Sequence, residues 1–320
     1  MQTRAASTFQ KRIEFYTINT IQFQFGYNWR ETRRVRHELY PIALNRVRIT
    51  DRQSAFEDLL AQDPRLARSF DNVFIAGVKY AYILSNQEPD SQKDFFFFRM
   101  DLRNSENLFF LFTDEISGLP VSQFFKFNTD FRYNFLFRNT KLVTRFVTGG
   151  GFAYDKSEVL PYSEQFFVGG SNSMRSFRLR GLGPGSFVDD TPDNDAIQNQ
   201  FIDQTGDLRL EWNVEYRFPI FSYLKGAVFT DFGNIWLTKS DNRPEGVFDW
   251  NRFYKEIAVG TGLGFRLDFE YFVIRLDAAF ALRKPVLNEG FQWTFDRLQF
   301  GQKDWRKDNL IWNVGIGYPF

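Results

Sequence analysis

From Phe125 to Phe137 the odd positions read Phe, Phe, Thr, Phe, Tyr, Phe, Phe, while the even positions between them are Lys126, Asn128, Asp130, Arg132, Asn134 and Leu136. Successive side chains of a strand point to opposite faces, so this stretch has one greasy face and one charged face. Residues 207–218 repeat the split, with Leu208, Leu210, Trp212, Val214, Tyr216 and Phe218 opposite Asp207, Arg209, Glu211, Asn213, Glu215 and Arg217. The same period runs through 18–30, 73–84, 93–102, 141–153, 222–237, 255–268, 270–283 and 308–320, and less cleanly through 34–49. That predicts about eleven strands. Most are longer than the ~5–6 residues usual in globular sheets and match the ~9–11 tilted residues that cross a bilayer.

A soluble sandwich also buries one face and wets the other. It has little use for Phe, Tyr and Trp repeated at both ends of the apolar face, which the two interfaces of a membrane barrel require. The 41 Phe, 13 Tyr and 7 Trp against 3 Met fit the barrel. No stretch approaches the roughly 18 apolar residues of a membrane helix. Tight turns near 31–33, 138–140, 219–222 and 268–270 alternate with long connections at 50–70, 103–120, 154–206, 238–253 and 284–307, so the short turns are expected on the periplasmic side. Ala55, Leu59, Leu60 and Leu66 predict a short helix in the first long connection. The fold class is therefore all-β, a transmembrane antiparallel barrel with a long inserted loop, in one domain spanning 1–320.

Other chemistries find little support. Lys plus Arg, at 40, nearly balance Asp plus Glu, at 39, so no net field recruits nucleic acid. There is no Cys, and the single His37 leaves no multi-His metal site. The acidic run Asp189, Asp190, Asp193 and Asp195 lacks the Gly and terminal Glu of a calcium loop and reads as a solvated segment. GTGLG at 260–264 is a glycine-lined strand face, since no helix follows to receive a phosphate. We expect no enzyme activity, cofactor or metal.

The longest connection holds EQFFVGGSNSMRSFRLRGLGPGSF at 164–187, too apolar and too glycine-patterned for a solvated loop. Gly169 and Gly170 precede Met174, Arg175, Ser176 and Phe177, and Gly183, Pro184 and Gly185 follow. Downstream, Phe229, Asp231 and Gly233 form Phe-x-Asp-x-Gly, and the chain ends with Asn313, Gly315, Tyr318 and Phe320 in a polar-x-Gly-x-x-aromatic-x-aromatic pattern. Together these resemble the BamA/TamA family of outer-membrane assembly barrels, also described as bacterial surface antigens, and are similar to the TamA-like group of Bacteroidetes-type bacteria. The family's Arg-Gly-aromatic loop core departs here, with Ser176 in place of the glycine.

The resemblance implies that the loop folds into the lumen and its arginine pairs with an acidic wall residue. Alternation independently points Asp231 and Glu215 inward, and a guanidinium fork suits their carboxylates. We expect Phe177 to pack on an apolar lumen patch that includes Phe229. The terminal pattern resembles the signal by which barrels are recognised for insertion. Family barrels have sixteen strands with five after the loop; five are predicted after it here. The remaining strands, and the periplasmic domains usual in the family, would lie upstream of Met1 or be absent. The implied location is the bacterial outer membrane. The implied function is outer-membrane protein assembly or translocation through a weak seam between strands. Lipid, client proteins and periplasmic or inner-membrane assembly factors are the implied partners. A passive pore and a two-partner secretion exporter are the alternatives.

Overall fold

The computed structural model describes all residues except 13–14, 89–92, 106–114, 188–203, 241–242, 270 and 286–291. The acidic run at 189–195 lies outside the described residues. The strands are β1 (Gln2–Arg12), β2 (Tyr16–Arg30), β3 (Val35–Thr50), β4 (Val73–Ser85), β5 (Phe95–Ser105), the short pair β6 (Glu115–Ile116) and β7 (Leu119–Pro120), β8 (Phe124–Leu136), β9 (Lys141–Ala153), β10 (Leu208–Phe221), β11 (Leu224–Trp236), β12 (Ala258–Asp268), β13 (Val273–Arg283) and β14 (Ile311–Ile316). Twelve of them make one sheet in the order β1-β2-β3-β4-β5-β8-β9-β10-β11-β12-β13-β14. Chain contacts gather into two units, residues 1–85 with 98–129 and 149–165, and residues 86–97 with 130–148 and 166–320.

The twelfth strand is β1, which the sequence left unassigned. QTRAASTFQKR has no apolar face to alternate, and almost every residue in it is exposed, yet it pairs antiparallel with β2 from Gln2↔Gly26 to Arg12↔Tyr16. Backbone hydrogen bonding to an amphipathic neighbour places it, and periodicity cannot report that. The terminal strand is shorter than the expected 308–320. A seven-residue helix, α3 (Lys303–Asn309), precedes it, and Gly317 at φ 86° follows it, so Tyr318 and Phe320 lie beyond the ladder.

In the first unit the 50–70 connection forms two helices, α1 (Ser54–Gln62) and α2 (Pro64–Ser69). The Asp63 carboxylate caps α2 by accepting from the Arg65 and Leu66 amides at 3.0 Å. The helices bring Phe56 and Phe70 onto Tyr16 and Tyr162, with ring centroids 4.3–5.1 Å apart for the closest pairs. His37 is held between Glu31 and Tyr80, at 3.0 and 2.8 Å, and stacks on Trp29.

In the second unit the two faces are inverted relative to a soluble protein. Tyr216, Val228 and Leu263 are neighbours across β10, β11 and β12, and all are exposed. Phe265, Leu276 and Val314 continue the exposed apolar band across β12, β13 and β14. On the opposite face Asn213, Glu215, Asp231, Arg266 and Asp277 are completely buried. Large apolar side chains outside and charges inside is the arrangement a bilayer imposes. Because the chain has no Cys, single spin labels report on this directly. A label at Val228→Cys should collide freely with oxygen and be shielded from a polar relaxant. Polar accessibility there would place the band in water.

Candidate functional site

Alternation carries Glu215 on β10 and Asp231 on β11 to the same buried face, where the register sets Glu215 opposite Phe229 and Asn213 opposite Asp231. The loop after β9 delivers Arg175 to them. Its Nε and backbone amide both donate to Asp231 Oδ2 at 3.0 Å, its Nη2 to Asp231 Oδ1 at 2.9 Å, and its Nη1 to Glu215. Arg175 is completely buried, and its guanidinium lies 3.5 Å from the centre of the Phe229 ring. Burial alone would lower its pKa, but the carboxylates of Asp231 and Glu215 outweigh that and raise it, so the guanidinium stays charged.

The network extends past the residues the sequence singled out. Glu215 also takes Arg217 at 2.7 Å and Arg266 at 3.2 Å, and Arg266 reaches Asp277 at 2.5 Å. Asn213 donates to Asp231 at 3.0 Å and to the Ser173 carbonyl at 3.1 Å. Arg266, Asp277 and Asn213 sit on polar faces that alternation reveals. Nothing in one sequence says which polar-face residues meet the loop.

Phe177 packs on apolar side chains beside the Arg175 site, Ile235 of the barrel wall among them. Arg175 lies over the Phe229 ring, and Phe177 packs against the cluster of Phe166, Val168, Met174, Leu182, Ile235 and Ala258. Met174 is wholly buried in that cluster. Gly169, at φ 105°, turns the chain with its amide donating to Ser173 Oγ at 3.1 Å, and the Gly170 amide donates to the Phe177 carbonyl at 2.9 Å. Gly183, at φ 84°, lies so close to Asn234 and Ile235 that a Cβ would fall 2.6 Å from both side chains. Past the cis peptide to Pro184, the Gly185 amide donates to the Ile235 carbonyl at 2.8 Å, while Asn234 donates to the Gly185 carbonyl at 2.8 Å. Gly233 lets β11 approach β10, since a Cβ there would lie 2.6 Å from the Leu210 carbonyl.

Ser176, where the family pattern has glycine, faces Gly260 of β12. A Cβ on Gly260 would collide with Ser176 Oγ. The glycine of the wall thus makes the space that the loop serine fills. Gly260→Ala should expose the loop to protease, and adding Ser176→Gly should restore most of the resistance. Equal sensitivity of the single and double variants would dissociate the two positions.

The four terminal-pattern residues reach the same cluster. Asn313 donates to the Arg175 carbonyl at 2.9 Å, and Gly315 abuts Arg275, whose Nη2 would lie 2.7 Å from a Cβ there. Arg217 lies 4.4 Å from the Tyr318 ring, whose hydroxyl donates to Asp268 at 2.8 Å, and Phe320 lies 5.6 Å from Arg175. Two motifs that the sequence shows more than 130 residues apart form one cluster.

In the first unit, Glu164, early in the same connection, is buried against Arg103 and Lys126, with Lys126 also donating to the Glu164 carbonyl at 2.6 Å. Burial alone would raise its pKa, but Arg103, Lys126 and Lys79 hold it below the usual range. A depressed carboxyl stabilises above its ordinary pKa and loses that contribution as pH falls through the lowered value. Acidification should therefore loosen 154–165 in the wild type more than in Glu164→Gln, measured by limited proteolysis.

A continuous antiparallel sheet with apolar residues outward, charges inward and a loop arginine seated on the inner face defines a transmembrane β-barrel. The Omp85 superfamily domain matches residues 3–301, and the chain belongs to that superfamily. It is an integral protein of the bacterial outer membrane. Among solved structures it is similar to BamA from Haemophilus ducreyi lacking POTRA domains 1–3, with TM-score 0.57 and 11% identity over 94% of this chain and 55% of that one. It is also similar to CdiB from Acinetobacter baumannii, with TM-score 0.50 and 14% identity over 94% and 42%, and to CdiB from Escherichia coli, with TM-score 0.51 and 12% identity over 86% and 44%. The chain thus spans about half the length of the proteins it matches. No curated protein sequence matches it.

Proposed function

We propose that residues 1–320 are the C-terminal barrel domain of a non-enzymatic factor for outer-membrane protein assembly or translocation, with 154–206 as its inserted latch loop. The observation that carries this reading is the seating of Arg175 between Asp231 and Glu215 with no exposed surface. An arginine so placed is costly unless paired and hydrogen-bonded, and it fixes the loop against the inner wall where an open diffusion channel would need free space. The barrel works through a seam of weakly paired strands. Backbone groups freed there are expensive in lipid, so an incoming client strand that pairs with them is favoured. The clients are outer-membrane or exported proteins, supplied by periplasmic or inner-membrane assembly factors. The terminal residues Asn313, Gly315, Tyr318 and Phe320 serve the insertion of the barrel itself.

The test is reconstitution of the full-length protein in liposomes with an unfolded outer-membrane client. Protected, folded client should accumulate faster than in protein-free liposomes, and planar-bilayer conductance should be small and erratic. Large steady conductance without client folding would establish a passive pore.

A further inference from the structure

Within the first unit, the polar face of β1 to β5 and β8 holds a cavity of about 300 Å³ unrelated to the Arg175 cluster. It is lined by five cationic side chains, Arg4, Lys79, Arg99, Arg103 and Lys126, and by three carboxylates, Glu38, Asp101 and Glu164. The strand register makes this band continuous, with Arg4 opposite Gln24, Tyr40 opposite Lys79, and Glu38 opposite Ala81.

The carboxylates are already engaged. Asp101 takes Arg99 through bonds of 2.6, 2.8 and 3.0 Å. Glu38 takes Arg36 at 3.1 Å and stands 4.0 Å from Arg99. Glu164 takes Arg103 and Lys126. Arg4 lies over the Tyr40 ring at 5.5 Å. Lys79 makes no hydrogen bond or ion pair among the described residues. Two of the charges acting on it, Arg103 and Lys126, repel it, and the two attracting ones, Glu164 and Asp101, are paired elsewhere. A half-buried ammonium in that position lacks the compensation that removal from water demands.

We propose that this cavity binds a phosphate group, with Lys79 as its principal ligand and Arg103 and Arg4 as flanking donors. Two cations in excess of the carboxylates match a phosphate dianion better than a single carboxylate. Guanidinium forks beside an ammonium are the donor set that phosphate oxygens use. The cavity opens on the polar face, so the source is water-borne: free phosphate or a soluble phosphate monoester.

Isothermal titration of the full-length protein in phosphate-free detergent micelles tests this with inorganic phosphate, acetate and glucose 1-phosphate as probes. Inorganic phosphate should bind, and acetate at least about tenfold more weakly. Lys79→Met should weaken phosphate by about tenfold or more, the loss expected for one charge-assisted hydrogen bond, and Lys79→Arg should recover most of it. Heat-modifiable gel mobility verifies that each variant is folded. Glucose 1-phosphate binding comparably to the ion identifies a monoester as the occupant; its exclusion identifies free phosphate. Absence of phosphate binding by the folded wild type, wild-type affinity in Lys79→Met, or acetate binding as tightly as phosphate would each overturn the proposal.

Discussion

Arg175→Ala will release the loop from the barrel wall, and Asp231→Ala will do nearly as much. Each removes one partner of a fully buried pair and strands the other, a loss of roughly 3–5 kcal/mol. The bidentate contact to Asp231, with the Arg175 amide on the same carboxylate, makes the two residues one unit. The double variant should therefore be little worse than either single variant, and a double-mutant cycle should return a coupling energy that cancels most of the second loss. Protease resistance of the 166–187 segment is the readout. Asp231→Asn keeps the shape and some hydrogen bonding, and should fall between wild type and Asp231→Ala. Effects that simply add would mean that the arginine and the aspartate act separately.

The second large effect concerns the chain's end. Deletion of Phe320 removes a ring that lies 5.6 Å from Arg175 and 5.8 Å from Arg217. Gly315→Leu drives an apolar side chain into the Arg275 guanidinium, which stands 2.7 Å from the position of a Cβ. Both variants should lose most of their outer-membrane yield while synthesis is unchanged. Both should also leave the loop more protease-sensitive in the fraction that inserts, since Phe320 lies beside the Arg175 guanidinium and Asn313, on the strand that carries Gly315, donates to the Arg175 carbonyl. Normal yield of both variants would remove the terminal residues from any role in insertion.

Much of this was legible in the order of the residues. Period-two alternation placed Glu215 and Asp231 on one face and Trp212 and Tyr216 on the other, because the side-chain period of a strand leaves no third choice. The helical pattern around Leu59, Leu60 and Leu66 likewise corresponds to two helices at 54–69. What escaped has a common cause. β1 lacks an apolar face and is defined by its pairing with Tyr16–Gly26, and α3 is a short, mostly polar helix with no stripe to detect. The complementarity of Ser176 and Gly260, like the bond from Asn313 to the Arg175 carbonyl, joins positions far apart in the chain, and pattern along the sequence is blind to it.

The central claim, that the loop is fastened to the inner wall through Arg175, is tested most directly by hydrogen–deuterium exchange of the protein in lipid nanodiscs. The account predicts that peptides covering 169–180 exchange as slowly as those of β10 and β11 in the wild type, and that Asp231→Ala accelerates exchange in the loop while leaving the strands protected. Loop peptides that exchange as fast in the wild type as in Asp231→Ala would contradict it.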